Sequence, residues 1–347
     1  MKSANHDKEM HDVYAKIYKD FYVFSEEALN YTRNIIRKNL SESNISLENL
    51  KNINVLNIGP AREARVFSEL GAKNVFHFDI SETAVNALNK LKESNPTFSN
   101  IFSNLVDACS PNSLKTKHKI DYVYLAGVLH HLHDPCQAIK NILYCVSPEC
   151  KLFFRIYRSG SFGFYITDFI RKFITYEDLN DIHRRFSEKF ENNNYNKQLA
   201  ADLHDNFFVP ILNLFDPKEI DKFFQKLDFK LIHRDEYVSY EHSSIEHSSQ
   251  GTTLIYETKD FTLSKLSRIT EFPPHLDQIN DIKYSEEFIL NTNILMNKFL
   301  KNINLFSKKE ILDLALDLYR ESQLYRKKEF QPTEENHMRI QELLRIK

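Results

Sequence analysis

The chain has 347 residues, a formal net charge of −2 and 13% aromatic residues, all of them Phe or Tyr because Trp is absent. That length holds one to three domains and a sizeable core. The lack of any long basic run argues against a non-specific nucleic-acid binder, and no apolar run reaches the roughly 18 residues of a membrane-spanning helix. The cysteines Cys109, Cys136, Cys145 and Cys150 form no C-x-x-C pair, and the start MKSANHDKEMHD is polar. A reduced, cytoplasmic setting without a signal peptide is therefore expected.

Residues 1 to 50 read as helical. Val13, Ile17 and Phe21 share one face, and Ser25 is placed to cap a second helix with Leu29, Thr32, Ile36 and Leu40 along one side.

Asn54 to Ser81 carries the strongest pattern in the chain. Val55-Leu56-Asn57-Ile58 is a short apolar run bounded by polar residues, the pattern of a buried parallel strand. Gly59-Pro60 breaks it. Ala64, Phe67 and Leu70 then recur at helical spacing, and Gly71 stands where a helix C-terminus favours a left-handed residue. A second strand, Asn74 to Phe78, ends on Asp79, and Ser81 caps a helix with Ala84, Val85, Leu88 and Leu91 as its apolar face. Asp79 lies 20 positions beyond Gly59. An acid at that distance from a glycine turn accepts hydrogen bonds from ribose hydroxyls in nucleoside-binding folds, and the glycine lets the backbone approach the ligand. Two cofactors use this geometry, a nicotinamide dinucleotide and S-adenosylmethionine. The string Gly59-Pro60-Ala61-Arg62-Glu63-Ala64 keeps only the first glycine of G-x-G-x-x-G/A.

Asn100 to Val106 is a third predicted strand, Asp121 to Gly127 a fourth and Lys151 to Tyr157 a fifth. Asp134-Pro135 opens the helix between the last two, as cap and first position. His130 and His131 follow strand four at the mouth of the site. An imidazole there suits a general base, and it equally suits a packed loop histidine. Residues 158 to 204 depart from the sheet pattern and carry Phe162, Phe164, Tyr165, Phe169, Phe173 and Tyr176 in one short stretch. Asp216-Pro217 starts another helix. Phe229 to Tyr240 and Thr252 to Thr258 read as two strands joined by a Ser-rich loop. That loop holds Glu241, His242, Glu246 and His247 at a spacing that matches no metal site, so no metal is expected. From Asp260 the pattern is helical, with a capping box at Ser307 to Glu310.

These pieces resemble the class I S-adenosylmethionine-dependent methyltransferases. Their motif of the form VLDIGCGTG is matched by VLNIGPARE, with Asn57 in place of the acid, Ala61 in place of the second glycine and Glu63 in place of the third. GVLHHLHDP, from Gly127 to Pro135, resembles the loop after their fourth strand, and Tyr144 to Leu152 resembles their LKPGGxL turn without its glycines. The resemblance covers Val55 to Arg155 and the late hairpin. It implies an α/β, doubly wound Rossmann-like sheet of seven strands in the order 3-2-1-4-5-7-6, with added N-terminal, inserted and C-terminal helices. It further implies a helical cap over residues 1–50, a cofactor domain over 51–258 with a substrate-specific insertion near 158–204, and a helical subdomain over 259–347. S-adenosylmethionine is the implied cofactor, contacted at Gly59, Pro60, Ala61, Asp79, Ile80, Asp107, Ala108, Ala126 and Gly127. Arg62 and Arg65 are placed to neutralise its carboxylate or to lie solvated on their helix. The implied reaction is methyl transfer to a small molecule. An NAD(P)-dependent oxidoreductase and a non-catalytic nucleoside-binding module are the competing readings.

Overall fold

The computed structural model describes residues 12–14, 25–190, 203–235, 251–277, 279, 281, 286–324 and 333–345. Most of the first predicted helix, including Ile17 and Phe21, and the His242/His247 loop lie outside the described residues. The chain forms two compact units, one of residues 1–156, 218–235 and 252–273, the other of residues 157–217, 236–251 and 274–347.

The first unit is built on a seven-stranded sheet ordered β3-β2-β1-β4-β5-β7-β6. Strand β1 (Asn54–Ile58) is buried along its whole length, as a central parallel strand must be. It pairs in parallel with β2 (Asn74–Asp79) on one side and β4 (Ile120–Ala126) on the other. Strand β3 (Ile101–Leu105) continues past β2. Beyond β4 comes β5 (Val146–Tyr157), and β6 (Lys230–Arg234) runs antiparallel to β7 (Gly251–Glu257) at the far edge. The strand order reverses between β1 and β4, which makes their C-terminal ends the topological switch point where ligands bind in such sheets. β5 starts five residues earlier than its apolar pattern suggests. Val146 pairs with Ile120 and Lys151 with Tyr122, so a register shift absorbs the Ser147-Pro148-Glu149-Cys150 turn within the strand.

Helix α1 (Glu26–Glu42) starts at Ser25, whose side chain accepts from the Ala28 N–H. Its Leu29, Ile36 and Leu40 are buried in one cluster with Val55, Phe67, Tyr122 and Tyr124 of the sheet layer. Each such side chain contributes about 1.5–3 kcal/mol on leaving water. Polar locks accompany the packing: Asn39 Nδ2 donates to the Tyr124 hydroxyl at 2.8 Å, and the Ser43 and Tyr122 hydroxyls are 3.0 Å apart. α1 is thus part of the core that supports the sheet. Helices α2 (Ala61–Glu69) and α3 (Glu82–Ser94) follow β1 and β2, and α4 (Pro135–Cys145) follows β4. Asp134 caps α4 by accepting from the Gln137 N–H at 2.9 Å, with Pro135 at the first helical position.

The second unit is helical. It holds α5 (Phe162–Arg171) and α6 (Leu179–Phe190); the first unit then adds α7 (Pro217–Gln225) against its sheet, where Phe224 stacks on Phe154 at 5.0 Å. The second unit continues with α8 (Glu287–Lys301), α9 (Lys308–Leu324) and α10 (Glu334–Arg345). Phe162, Phe164, Tyr165 and Phe169 are completely buried. Phe162 and Tyr165 flank His337 of α10 at 5.6 and 5.8 Å, and Phe169 and Phe173 pack on Phe299 of α8. The aromatic run after strand five therefore makes the core of a helical unit rather than an open aromatic surface. Hydrophobic periodicity alone does not reveal which partner covers a face.

Candidate cofactor site

Each of the first four strands delivers one predicted residue, or its neighbour, to the same edge of the sheet. Gly59 follows β1, Asp79 ends β2, Asp107 follows β3 and Gly127 follows β4. Gly59 has φ +108°, and a Cβ built there stands 2.5 Å from Val128 Cγ2. Both the backbone conformation and the space exclude a side chain. Gly127 also has positive φ, +78°, and its N–H donates to the Arg155 carbonyl.

Asp79 is only 7% exposed, and its Oδ1 accepts from the Ser81 N–H at 2.7 Å. Ser81 in turn caps α3, so the acid and the helix start are fixed together. Asp107 accepts from the Cys109 N–H and from the Ser110 hydroxyl, both at 2.8 Å, which is an Asx turn that orients the carboxylate locally. Ala61 and Ala108 are buried, while Pro60, Ile80 and Ala126 are half-buried along the same edge. Asp107, Cys109 and His133 bring one potential metal-ligand atom each within 4.8 Å of one another. Burial pushes the Cys109 thiol up to about 12, which disfavours the thiolate a metal would take.

Two features were not assigned a role from the sequence. His77, in the middle of β2, is completely buried. Its Nε2 lies 2.8 Å from the Gly59 carbonyl and its Nδ1 2.9 Å from the Ser103 hydroxyl. A carbonyl only accepts, so Nε2 carries the proton and Nδ1 accepts from Ser103. Burial pushes the imidazole down to about 4, against the hydrogen bond to Gly59 that raises it. A polar residue inside the apolar run VFHFD was the signal for it. The second feature is Glu63, on the core-facing side of α2 and 7% exposed. Its Oε2 accepts from Asn57 Nδ2 at 3.0 Å. Burial raises its carboxyl to about 7; Arg62, the Asn57 hydrogen bond and Arg155 lower it, and Asp79 raises it. Asn57 Oδ1 and Arg62 Nε are buried without a hydrogen-bond partner among the described residues. A buried acceptor and a buried donor left open at the end of β1 fit a ligand that carries both charges, as the amino-acid end of S-adenosylmethionine does.

His130 and His131 sit in a short 3₁₀ turn after β4 and are 0% and 3% exposed. Their rings are 4.2 Å apart, and Tyr14 packs edge-on to His131. Burial, then the neighbouring His131 and Arg155, hold His130 well below its ordinary value. Both rings are packed in this turn.

The family profile described as "Methyltransferase domain" matches residues 29–234. The chain belongs to this methyltransferase family. No curated protein matches the chain. Among solved structures it is similar to the N-methyltransferase NodS from Bradyrhizobium japonicum WM9 in complex with S-adenosyl-L-homocysteine, at 12% identity over 73% of this chain and 99% of that one, with a TM-score of 0.41. It is also similar to the MccD protein, at 14% identity over 66% and 96% of the two chains with a TM-score of 0.41. TehB from Haemophilus influenzae is a third, at 16% identity over 60% and 58% with a TM-score of 0.37.

Proposed function

We propose that the protein transfers the methyl group of S-adenosylmethionine to a small-molecule acceptor. The observation that supports this most is the convergence of Gly59 and Asp79 at the switch-point edge of a sheet that belongs to the methyltransferase family. In this reading Asp79 receives the ribose hydroxyls, and Gly59 with Pro60 and Ala61 forms the backbone turn against which the ligand lies. Ile80, Asp107, Ala108, Ala126 and Gly127 border the nucleoside. The bound sulfonium supplies an activated methyl group. The chain's own contribution is to fix the cofactor and exclude water, and positioning of two reactants in line can supply roughly 7–11 kcal/mol in ideal cases. Residues 51–258 make the methyl-transfer module, and the insertion near 158–204 governs acceptor choice. The four cysteines form no disulfide, and among the described residues no helix is long and apolar enough to cross a membrane; a cytoplasmic setting is part of the same proposal. The test is to incubate the purified protein with methyl-labelled S-adenosylmethionine and a fractionated cell extract. Label entering the low-molecular-weight fraction supports the reading. Label entering only protein or nucleic acid contradicts it.

A further inference from the structure

The motif that the chain resembles has an acid in the first strand and a glycine at the third turn position, whereas this chain has Asn57 and Glu63 there. The two exchanged residues touch: Asn57 Nδ2 donates to Glu63 Oε2 at 3.0 Å, in a completely buried environment at Asn57. One carboxyl is thus retained in the site and supplied from the first turn of α2 instead of from β1. Asn57 spends its amide donor on Glu63, which leaves its Oδ1 buried without a partner among the described residues. Asn57 Oδ1 is thus a buried acceptor without a donor, beside a carboxyl that accepts one hydrogen bond from the same amide. Next to them, Arg62 holds a buried Nε without an acceptor. A buried acceptor without a donor costs free energy until one arrives, and a charged donor with several N–H groups can serve Asn57 Oδ1 and the Glu63 carboxylate at once.

We propose that Glu63, seconded by Asn57 Oδ1, is the receptor for the ammonium group at the amino-acid end of the cofactor, with Arg62 beside it for the carboxylate. The inference rests on the proposed S-adenosylmethionine-dependent reaction. It makes cofactor binding proton-linked, because burial raises the Glu63 carboxyl to about 7 in the ligand-free protein, with Arg62 and Arg155 already facing it. The groups facing it are Arg62 on its own helix, Arg155 at the end of β5, Asp79 at the end of β2 and Tyr124 on β4. Tyr124 is held well above 10, chiefly by burial, and His77 stays neutral down to about 4. Glu63 is therefore the group expected to change charge between pH 6 and 8. A bound ammonium favours its ionised form, so affinity rises with pH across that window.

The test uses calorimetry with S-adenosylhomocysteine and with its deamino analogue, in which hydrogen replaces the amino group and the carboxylate is kept. At pH 8 the wild type is expected to prefer S-adenosylhomocysteine by about ten- to a hundredfold, the range of a charged hydrogen bond. The preference should shrink between pH 8 and pH 6. Glu63→Gln keeps the shape and should reduce the preference at pH 8 to within about threefold while binding of the deamino analogue persists. Adding Asn57→Asp to that variant should restore it. An undiminished preference in Glu63→Gln, or in the wild type at pH 6, overturns the proposal. If the wild type binds neither ligand, the cofactor reading itself fails, and the two failures are distinguishable.

Discussion

His77 Nε2 donates to the carbonyl of Gly59 across 2.8 Å, tying the middle of β2 to the turn after β1. The same ring accepts from Ser103 on β3, so three parallel segments are linked through one neutral imidazole beneath the cofactor edge. Replacing His77 by Phe keeps most of the volume and removes both bonds. The half-buried Gly59 carbonyl and Ser103 hydroxyl then lose this partner, at a cost of about 1 kcal/mol. Urea unfolding should record that loss, and calorimetry should record weaker S-adenosylhomocysteine binding. Unchanged values for both would show that the link does not hold the turn.

Gly59→Ala meets two obstacles, the positive φ and the 2.5 Å approach to Val128 Cγ2. Adding Val128→Ala removes only the second. The single variant should lose about 2 kcal/mol or more, and the double variant should not recover the strain of a left-handed residue. Full recovery in thermal melts of the double variant would mean that crowding alone sets the requirement for glycine.

Glu63 and His77 pull stability in opposite directions over one pH window. The folded pKa of Glu63 is raised from 4.5 to about 7. Its contribution is therefore fully present below 4.5 and is lost as pH rises through 7, by roughly 3 kcal/mol. The folded pKa of His77 is lowered from 6.5 to about 4. Its contribution is present above 6.5 and is lost as pH falls through 4. In the ligand-free protein, Glu63→Gln should be more stable than the wild type at pH 8 and should lose stability more steeply on acidification from 7 to 4.5. His77→Phe should lose it less steeply. Chemical denaturation at four or five pH values measures both slopes.

The burial of Phe162 in the helical unit, beside His337, makes Phe162→Ala a core truncation worth about 3–5 kcal/mol. Proteolysis of the variant should open the helical unit at lower denaturant than the wild type. A variant as resistant as the wild type would show that the ring is not part of that core.

The parts of this molecule that were legible in the sequence are the locally determined ones. Ser25, Ser81, Asp134 and Ser307 cap helices as read, because each cap is closed within three residues. The apolar run at Val55, the break at Gly59 and the acid at Asp79 gave the strand–helix–strand unit, and the resemblance carried by GVLHHLHDP and the late hairpin gave the sheet order. Tertiary partners were not legible. His77 finds Gly59 and Ser103 only once β1, β2 and β3 lie in register, and Glu63 read as a lost glycine until Asn57 stood opposite it. The rings after strand five gave a helical face without naming its cover.

The central claim is that this edge of the sheet binds S-adenosylmethionine through Asp79. The most direct measurement is calorimetric titration of S-adenosylhomocysteine into the wild type and Asp79→Ala, with a thermal melt to verify that the variant is folded. The account predicts saturable binding to the wild type and a loss of about 1.5–3 kcal/mol in the folded variant, the worth of a charged hydrogen-bond acceptor. Equal affinities, or a wild type that does not bind, would contradict it.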